Sequence, residues 1–198
     1  MGLTPISYDT LRVLIGYECN LGCGYCCNEQ PRFRNGIRPT RLADLDLSPY
    51  KVVCVSGGEP LLHLHRVRQV ARLRANRSQL FVLYTNGTLL TRGVAQSLAA
   101  MRVDAINVGL HQPSQFGYII NQVEVACKDL PIKLRYHAQE RLEGQCLKMW
   151  PHLSWRFWRM NDCDRPNERR VVLTDWAPQG GVNVNFVGPR LYSLAQTK

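Results

Sequence analysis

Apolar and polar positions along the chain follow two rhythms that take turns. Short apolar runs bounded by turn formers occur at residues 11–17 (LRVLIGY), 51–55 (KVVCV), 80–85 (LFVLYT), 104–111 (DAINVGLH), 132–137 (IKLRYH) and 154–160 (SWRFWRM). These predict six strands. Between them the spacing becomes helical. Leu61, Leu64, Val67, Val70, Ala71 and Leu73 line one face of a helix predicted over residues 61–77, and further helices are predicted over 90–101 and 113–127. Pro113 suits the first helical position of the last. The helix expected between the first two strands falls in residues 32–47, where Pro39 and a poor pattern intrude. Beyond residue 164 one piece, 171–174, is strand-like.

Strands alternating with helices imply parallel βα units. Six units are short of the eight that close a barrel. The expected fold is therefore α/β, a partial (βα)6-type open barrel with its site at the C-terminal strand ends. Residues 1–164 are read as the core, and 165–198 as a C-terminal extension packed on it. Strand alternation assigns faces as well. Ile106, Val108 and Leu110 should face the helices, leaving Asn107 and His111 inside. Ile132, Leu134 and Tyr136 should likewise face out, leaving Lys133, Arg135 and His137 inside.

Composition changes this picture in two ways. No apolar run approaches the roughly 18 residues of a membrane span, and the N-terminus lacks a signal-peptide layout. The expected compartment is the cytoplasm, with no membrane partner. The formal charge is +10, and 20 of the 25 basic residues are Arg. Residues 61–103 hold seven Arg and no acid. Such a field attracts phosphates, DNA, RNA or an acidic partner; solvated charges on helix faces are the alternative, and both stay open.

Of the eight cysteines, four (Cys19, Cys23, Cys26, Cys27) crowd into nine residues, too close for useful cross-links. Without a secretory signal, metal ligation is the better reading. Cys19, Cys23 and Cys26 have the spacing C-x3-C-x2-C, with Tyr25 before the third cysteine. Three thiolates can hold one face of an iron–sulfur cubane and leave one iron free for chemistry. A second motif, Gly57-Gly58-Glu59, follows the second strand, and Asn86-Gly87 closes the third. Over roughly residues 11–137 this arrangement resembles the radical S-adenosylmethionine (SAM) superfamily.

The resemblance implies a [4Fe–4S] cluster on Cys19, Cys23 and Cys26. It also implies a SAM site involving Tyr25, Gly57, Gly58, Glu59 and Asn86, with His111 at the ribose. Arg135 is the choice for pairing with the SAM carboxylate or a substrate acid. Reductive cleavage of SAM would then give a 5′-deoxyadenosyl radical that takes hydrogen from a substrate, with flavodoxin or ferredoxin as electron donor. A zinc loop is the competing reading, but zinc wants four ligands and leaves the GGE turn unexplained. After the sixth strand, Asp162 is a candidate for holding substrate and Cys163 for returning a hydrogen atom; an ordinary turn with a free thiol competes. Trp150, Trp155, Phe157 and Trp158 interleave with Arg156 and Arg159, as base stacking would need and as an amphipathic strand would show.

The leading expectation is modification or rearrangement of a nucleotide-derived substrate, including a base within nucleic acid. Alternatives are a small-molecule enzyme resembling 7-carboxy-7-deazaguanine synthase and a glycyl-radical activase acting on a protein partner. From another class, an iron–sulfur sensor that binds nucleic acid has no use for the GGE turn.

Overall fold

The computed structural model describes residues 10–26, 40–74, 77–158, 170–175 and 186–187, the last two stretches through backbone alone. In chain order the elements are β1 (Thr10–Leu14), β2 (Thr40–Arg41), β3 (Val52–Ser56), α1 (Leu64–Arg72), β4 (Leu80–Thr85) and α2 (Arg92–Ala100). Then come β5 (Ala105–Gly109), α3 (Phe116–Cys127), β6 (Lys133–Gln139), α4 (Glu143–Met149), β7 (Trp155–Trp158), β8 (Arg170–Asp175) and β9 (Phe186–Val187). The sheet order is β2-β8-β1-β3-β4-β5-β6-β7, with β9 antiparallel on β8 and every other pairing parallel. The six predicted strands lie side by side in sequence order, and among the described residues the two ends of the sheet do not pair. This is the open partial barrel expected from the pattern.

Register settles the two faces. Val13, Val55, Leu83, Ile106 and Leu134 stand in one cross-strand row. All but Leu134 are fully buried, and all five join one core with Val67 and Val70 of α1, Ala95 and Leu98 of α2, and Ile119 and Val123 of α3. Burying each such side chain contributes about 1.5–3 kcal/mol. Tyr136 and Trp155 extend the same face, and Trp155 donates its indole N–H to the Trp150 carbonyl at 2.9 Å.

Element ends differ from the sequence expectation where local polar chemistry intervenes. The helix expected from residue 61 opens as a 3-10 turn, Pro60–His63, because Glu59 caps it through the Leu61 N–H. It stops at Arg72 rather than 77. Arg74 turns back instead to the Met101 and Arg102 carbonyls at 3.1 and 3.2 Å, just past the end of α2. The described part of residues 32–47 holds β2 and a 3-10 turn at Leu42–Asp44, not a helix. The short helix α4 was not foreseen: it contains Gly144 and buries one side chain, Cys146, so it has no apolar stripe. The strand-like piece at 171–174 belongs to β8, which pairs with β1 in the main sheet. Among the described residues no helix is long and apolar enough to cross a membrane.

Candidate functional site

The cysteine loop leaves the C-terminal end of β1 and lies against the GGE turn at the end of β3. Gly58 N–H donates to the Gly16 carbonyl at 3.0 Å and Glu59 N–H to the Glu18 carbonyl at 2.7 Å. This contact explains the second glycine: a Cβ on Gly58 would stand 2.1 Å from the Glu18 carbonyl oxygen and 2.4 Å from that of Tyr17. Gly57 adopts φ +152, and a Cβ there would meet the Gly16 carbonyl at 2.6 Å.

Glu59 is 1% exposed, and both carboxylate oxygens are engaged. Oε1 accepts from Leu61 N–H at 2.9 Å and Thr85 Oγ1 at 2.7 Å, while Oε2 accepts from Asn86 N–H at 2.7 Å. Burial pushes its pKa up against the pull of these donors. Its structural work is to tie β3 to the Asn86 turn after β4.

Asn86 in turn reaches the cysteine loop. Its Nδ2 donates to Asn20 Oδ1 at 2.8 Å and lies 3.9 Å from Cys19 Sγ, and its Oδ1 accepts from Thr88 N–H and Thr88 Oγ1 at 3.0 and 2.6 Å. Asn20 closes the ring by donating to Thr88 Oγ1 at 2.8 Å. Asn20 and Thr88 were not singled out in the sequence, although one flanks a candidate ligand cysteine and the other ends an N-G-T turn. Gly87, at φ +78, takes a conformation that favours glycine, and a Cβ would stand 2.9 Å from both Ile119 and Val108.

The other end of the loop meets the rim of β5–β7 through Tyr25. Its hydroxyl sits 3.0 Å from His111 Nδ1 and 3.2 Å from the His111 carbonyl, and its ring is 5.4 Å from that of Trp158. If the hydroxyl donates to the carbonyl, Nδ1–H donates to the hydroxyl. Burial pushes the Tyr25 pKa up to about 12, with the nearby Cys23 adding to it. Burial also lowers the His111 pKa, which keeps the ring neutral near pH 7. His111 thus faces Tyr25.

Cys19, Cys23 and Cys26 are all reduced thiols on this loop. Burial, then the charges of Cys26 and Cys19, push the Cys23 thiol up, and a hydrogen bond from Tyr25 pulls it down. A cationic cluster would relieve that like-charge crowding, and Gly22 and Gly24 leave open space beside the thiols. Among the described residues no three His, Cys, Asp or Glu are gathered tightly enough for a single metal ion. Cys thiolates are the donors that hold iron–sulfur clusters, and the loop supplies three of them. The residues therefore fit the cluster. Cys54, Cys127 and Cys146 are buried elsewhere.

Glu18, beside the first cysteine, is 3.3 Å from His63 Nε2 and 3.8 Å from Arg66 Nη1, and Arg66 donates to the Ile15 carbonyl at 2.8 Å. Burial raises the Glu18 pKa, but a backbone hydrogen bond and these two partners outweigh it and hold it low. Arg135 stands exposed on β6, in register with Asn107, and no described contact joins it to the loop. Asp162 and Cys163 lie outside the described residues, as do Cys27 and Arg159.

The chain has relatives among known proteins. The model of the radical SAM superfamily matches residues 13–142, and the chain belongs to that superfamily, whose enzymes use a [4Fe–4S] cluster and SAM. The chain is 36% identical over 185 residues to GTP 3′,8-cyclase of Rhodobacter capsulatus, covering 89% of this chain and 52% of the relative. It is 33% identical over 92 residues to 7-carboxy-7-deazaguanine synthase of Methanospirillum hungatei, covering 44% and 38%. It spans about half the length of the first relative and less of the second. The solved structure of BtrN in complex with AdoMet and 2-DOIA shares the fold at a TM-score of 0.54 and 21% identity, over 96% of this chain and 76% of that one.

Proposed function

We propose that this chain cleaves SAM reductively and directs the resulting radical to a small, nucleotide-derived substrate. The observation that carries the reading is the closure of the cysteine loop on two partners at once. The GGE turn holds one end of the loop by backbone hydrogen bonds, and Tyr25 bonds the other end to the His111 rim. A loop fixed at both ends presents three thiolates in one place, as a site-differentiated cluster needs.

Cys19, Cys23 and Cys26 would hold the cluster, with a one-electron donor such as flavodoxin or ferredoxin supplying it. The bound cofactors supply an electron and a 5′-deoxyadenosyl radical; the protein's own part is position and exclusion of water. The backbone at Gly57 and Gly58 would meet the methionine end of SAM. Asn86 orients Cys19, Glu59 orients Asn86, and neutral His111 with Tyr25 shapes the nucleoside side.

One similar protein is named for cyclising GTP and another for making 7-carboxy-7-deazaguanine, which favours a free nucleotide-derived substrate over a base in nucleic acid. The structure also gives several arginines of the basic stretch internal work. Arg66 holds the Ile15 carbonyl, Arg74 the Met101 and Arg102 carbonyls, and Arg92 the Ala126 and Lys128 carbonyls. A polyanion-docking surface would need those side chains free.

The test is anaerobic reconstitution, reduction and product analysis. 5′-Deoxyadenosine and methionine should form, and a purine nucleotide should increase their yield while being consumed. S-adenosylhomocysteine as the sole SAM product would overturn the reading, and turnover of DNA or RNA alone would overturn the substrate class.

A further inference from the structure

The face of the sheet away from the helices carries an unusual charge pattern. Cross-strand register puts Arg12, Cys54, Val82, Ala105 and Lys133 in one row of this face. Leu14 and Ser56 pair in the next row, as do Asn107 and Arg135, with Tyr84 joining Asn107; Gly109, His137 and Arg156 form the row above. The six strands β1 and β3–β7 contain no Asp or Glu, and all four of their cations, Arg12, Lys133, Arg135 and Arg156, fall on this face. Solvated strand charges are ordinarily mixed in sign. Here no carboxylate on any of these strands answers them.

Lys133, Arg135 and Arg156 are exposed and climb the β6–β7 side toward the rim where Tyr25 and Trp158 meet. Hydrogen-bonding and aromatic groups lie beside them. His137 Nε2 is 3.1 Å from Asn107 Oδ1, the Tyr84 and His137 rings are 5.7 Å apart, and the Arg12 guanidinium stacks 4.4 Å from the centre of the Tyr84 ring. A ladder of cations on β6 and β7, one in each successive row, therefore runs toward the rim that carries the cysteine loop, with aromatic and amide groups beside it on β4, β5 and β6. Several anionic oxygens spread along one direction match that ladder.

Resting on the function proposed above, we infer that this face anchors the phosphate chain of a phosphorylated small-molecule substrate. Lys133, Arg135 and Arg156 take the phosphate oxygens, and the rest of the molecule reaches the rim. Arginine's planar fork suits two phosphate oxygens at once, and Arg135 stands in the row between those of Lys133 and Arg156, so it is assigned to substrate with them rather than to the SAM carboxylate.

The test is calorimetric titration of the reconstituted, SAM-bound holoenzyme with inorganic tripolyphosphate at low salt. The wild-type chain should bind it. Arg135→Gln and Arg156→Gln, checked for an unchanged melting temperature, should each weaken binding about tenfold or more, as loss of a charged hydrogen-bond partner implies. Arg72→Gln, on the exposed face of α1, should bind as the wild type does. No wild-type binding, or an equal loss in Arg72→Gln, would overturn the inference. So would an Arg135→Gln chain that loses SAM affinity while keeping tripolyphosphate. Release of 5′-deoxyadenosine by the wild-type chain is measured separately, so failure of SAM chemistry and failure of the anion site appear in different assays.

Discussion

Replacing Gly58 by Ala puts a methyl carbon 2.1 Å from the Glu18 carbonyl oxygen and 2.5 Å from its carbon. Ordinary non-bonded contact lies near 3.5 Å, so the two backbones must part by more than about 1 Å. Neither partner is a flexible side-chain tip, and the clash cannot be relieved by a rotamer. Parting them breaks the hydrogen bonds from Gly58 to Gly16 and from Glu59 to Glu18, 3.0 and 2.7 Å long. At about 1 kcal/mol each, plus about 1–3 kcal/mol for forced overpacking, the loss comes to roughly 3–5 kcal/mol. For a chain of this length that lowers Tm by roughly 6–20 °C. The damage also falls at the start of the cysteine loop, so iron content should drop with stability. Gly22→Ala, where a Cβ meets nothing within 4 Å, serves as the control and should stay within about 0.5 kcal/mol. The assay is anaerobic thermal melting with iron quantitation. A Gly58→Ala chain that melts with the wild type and keeps its iron would refute the close approach.

Three further outcomes follow from the same contacts. Cys19→Ala, Cys23→Ala and Cys26→Ala should each abolish the cluster absorbance and bound iron after reconstitution, whereas Cys54→Ala should keep about four irons per chain; an essential Cys54 would disprove the ligand set. Glu59→Ala strands the Leu61 and Asn86 N–H groups in the interior and should cost about 2–5 kcal/mol in denaturant unfolding, with Glu59→Gln costing less, since one oxygen survives. Tyr136 donates to Glu124 at 2.6 Å, and burial first, then this bond, raise its phenol pKa. The resulting stability is present below the free phenol's pKa of about 10 and is lost as pH climbs above it toward the raised value. Tyr136→Phe should therefore flatten the alkaline limb of the stability profile measured by denaturant titration, and an unchanged slope would count against the bond.

The sequence by itself determined the strands and their facing. Ile106 and Val108 turned to the helices and Asn107 away from them because side chains alternate with a period of two, a purely local rule. The cysteine spacing and the GGE turn were also legible, since each is a short motif whose chemistry does not depend on distant residues. Only the tertiary structure decided what those motifs touch. That Gly58 must be glycine depends on the Glu18 carbonyl, which register between β1 and β3 brings against it. That Glu59 spends both oxygens on Leu61, Thr85 and Asn86, and that Asn86 passes the connection to Cys19, depends on the ends of β3 and β4 lying side by side. The stop of α1 at Arg72 had the same origin: Arg74 found carbonyls just beyond α2, 27 and 28 residues on, and long-range hydrogen bonds leave no mark in helical periodicity. The cations of β1, β6 and β7 looked scattered along the chain for the same reason. They share one face because cross-strand register adds a second dimension that spacing along the chain does not contain.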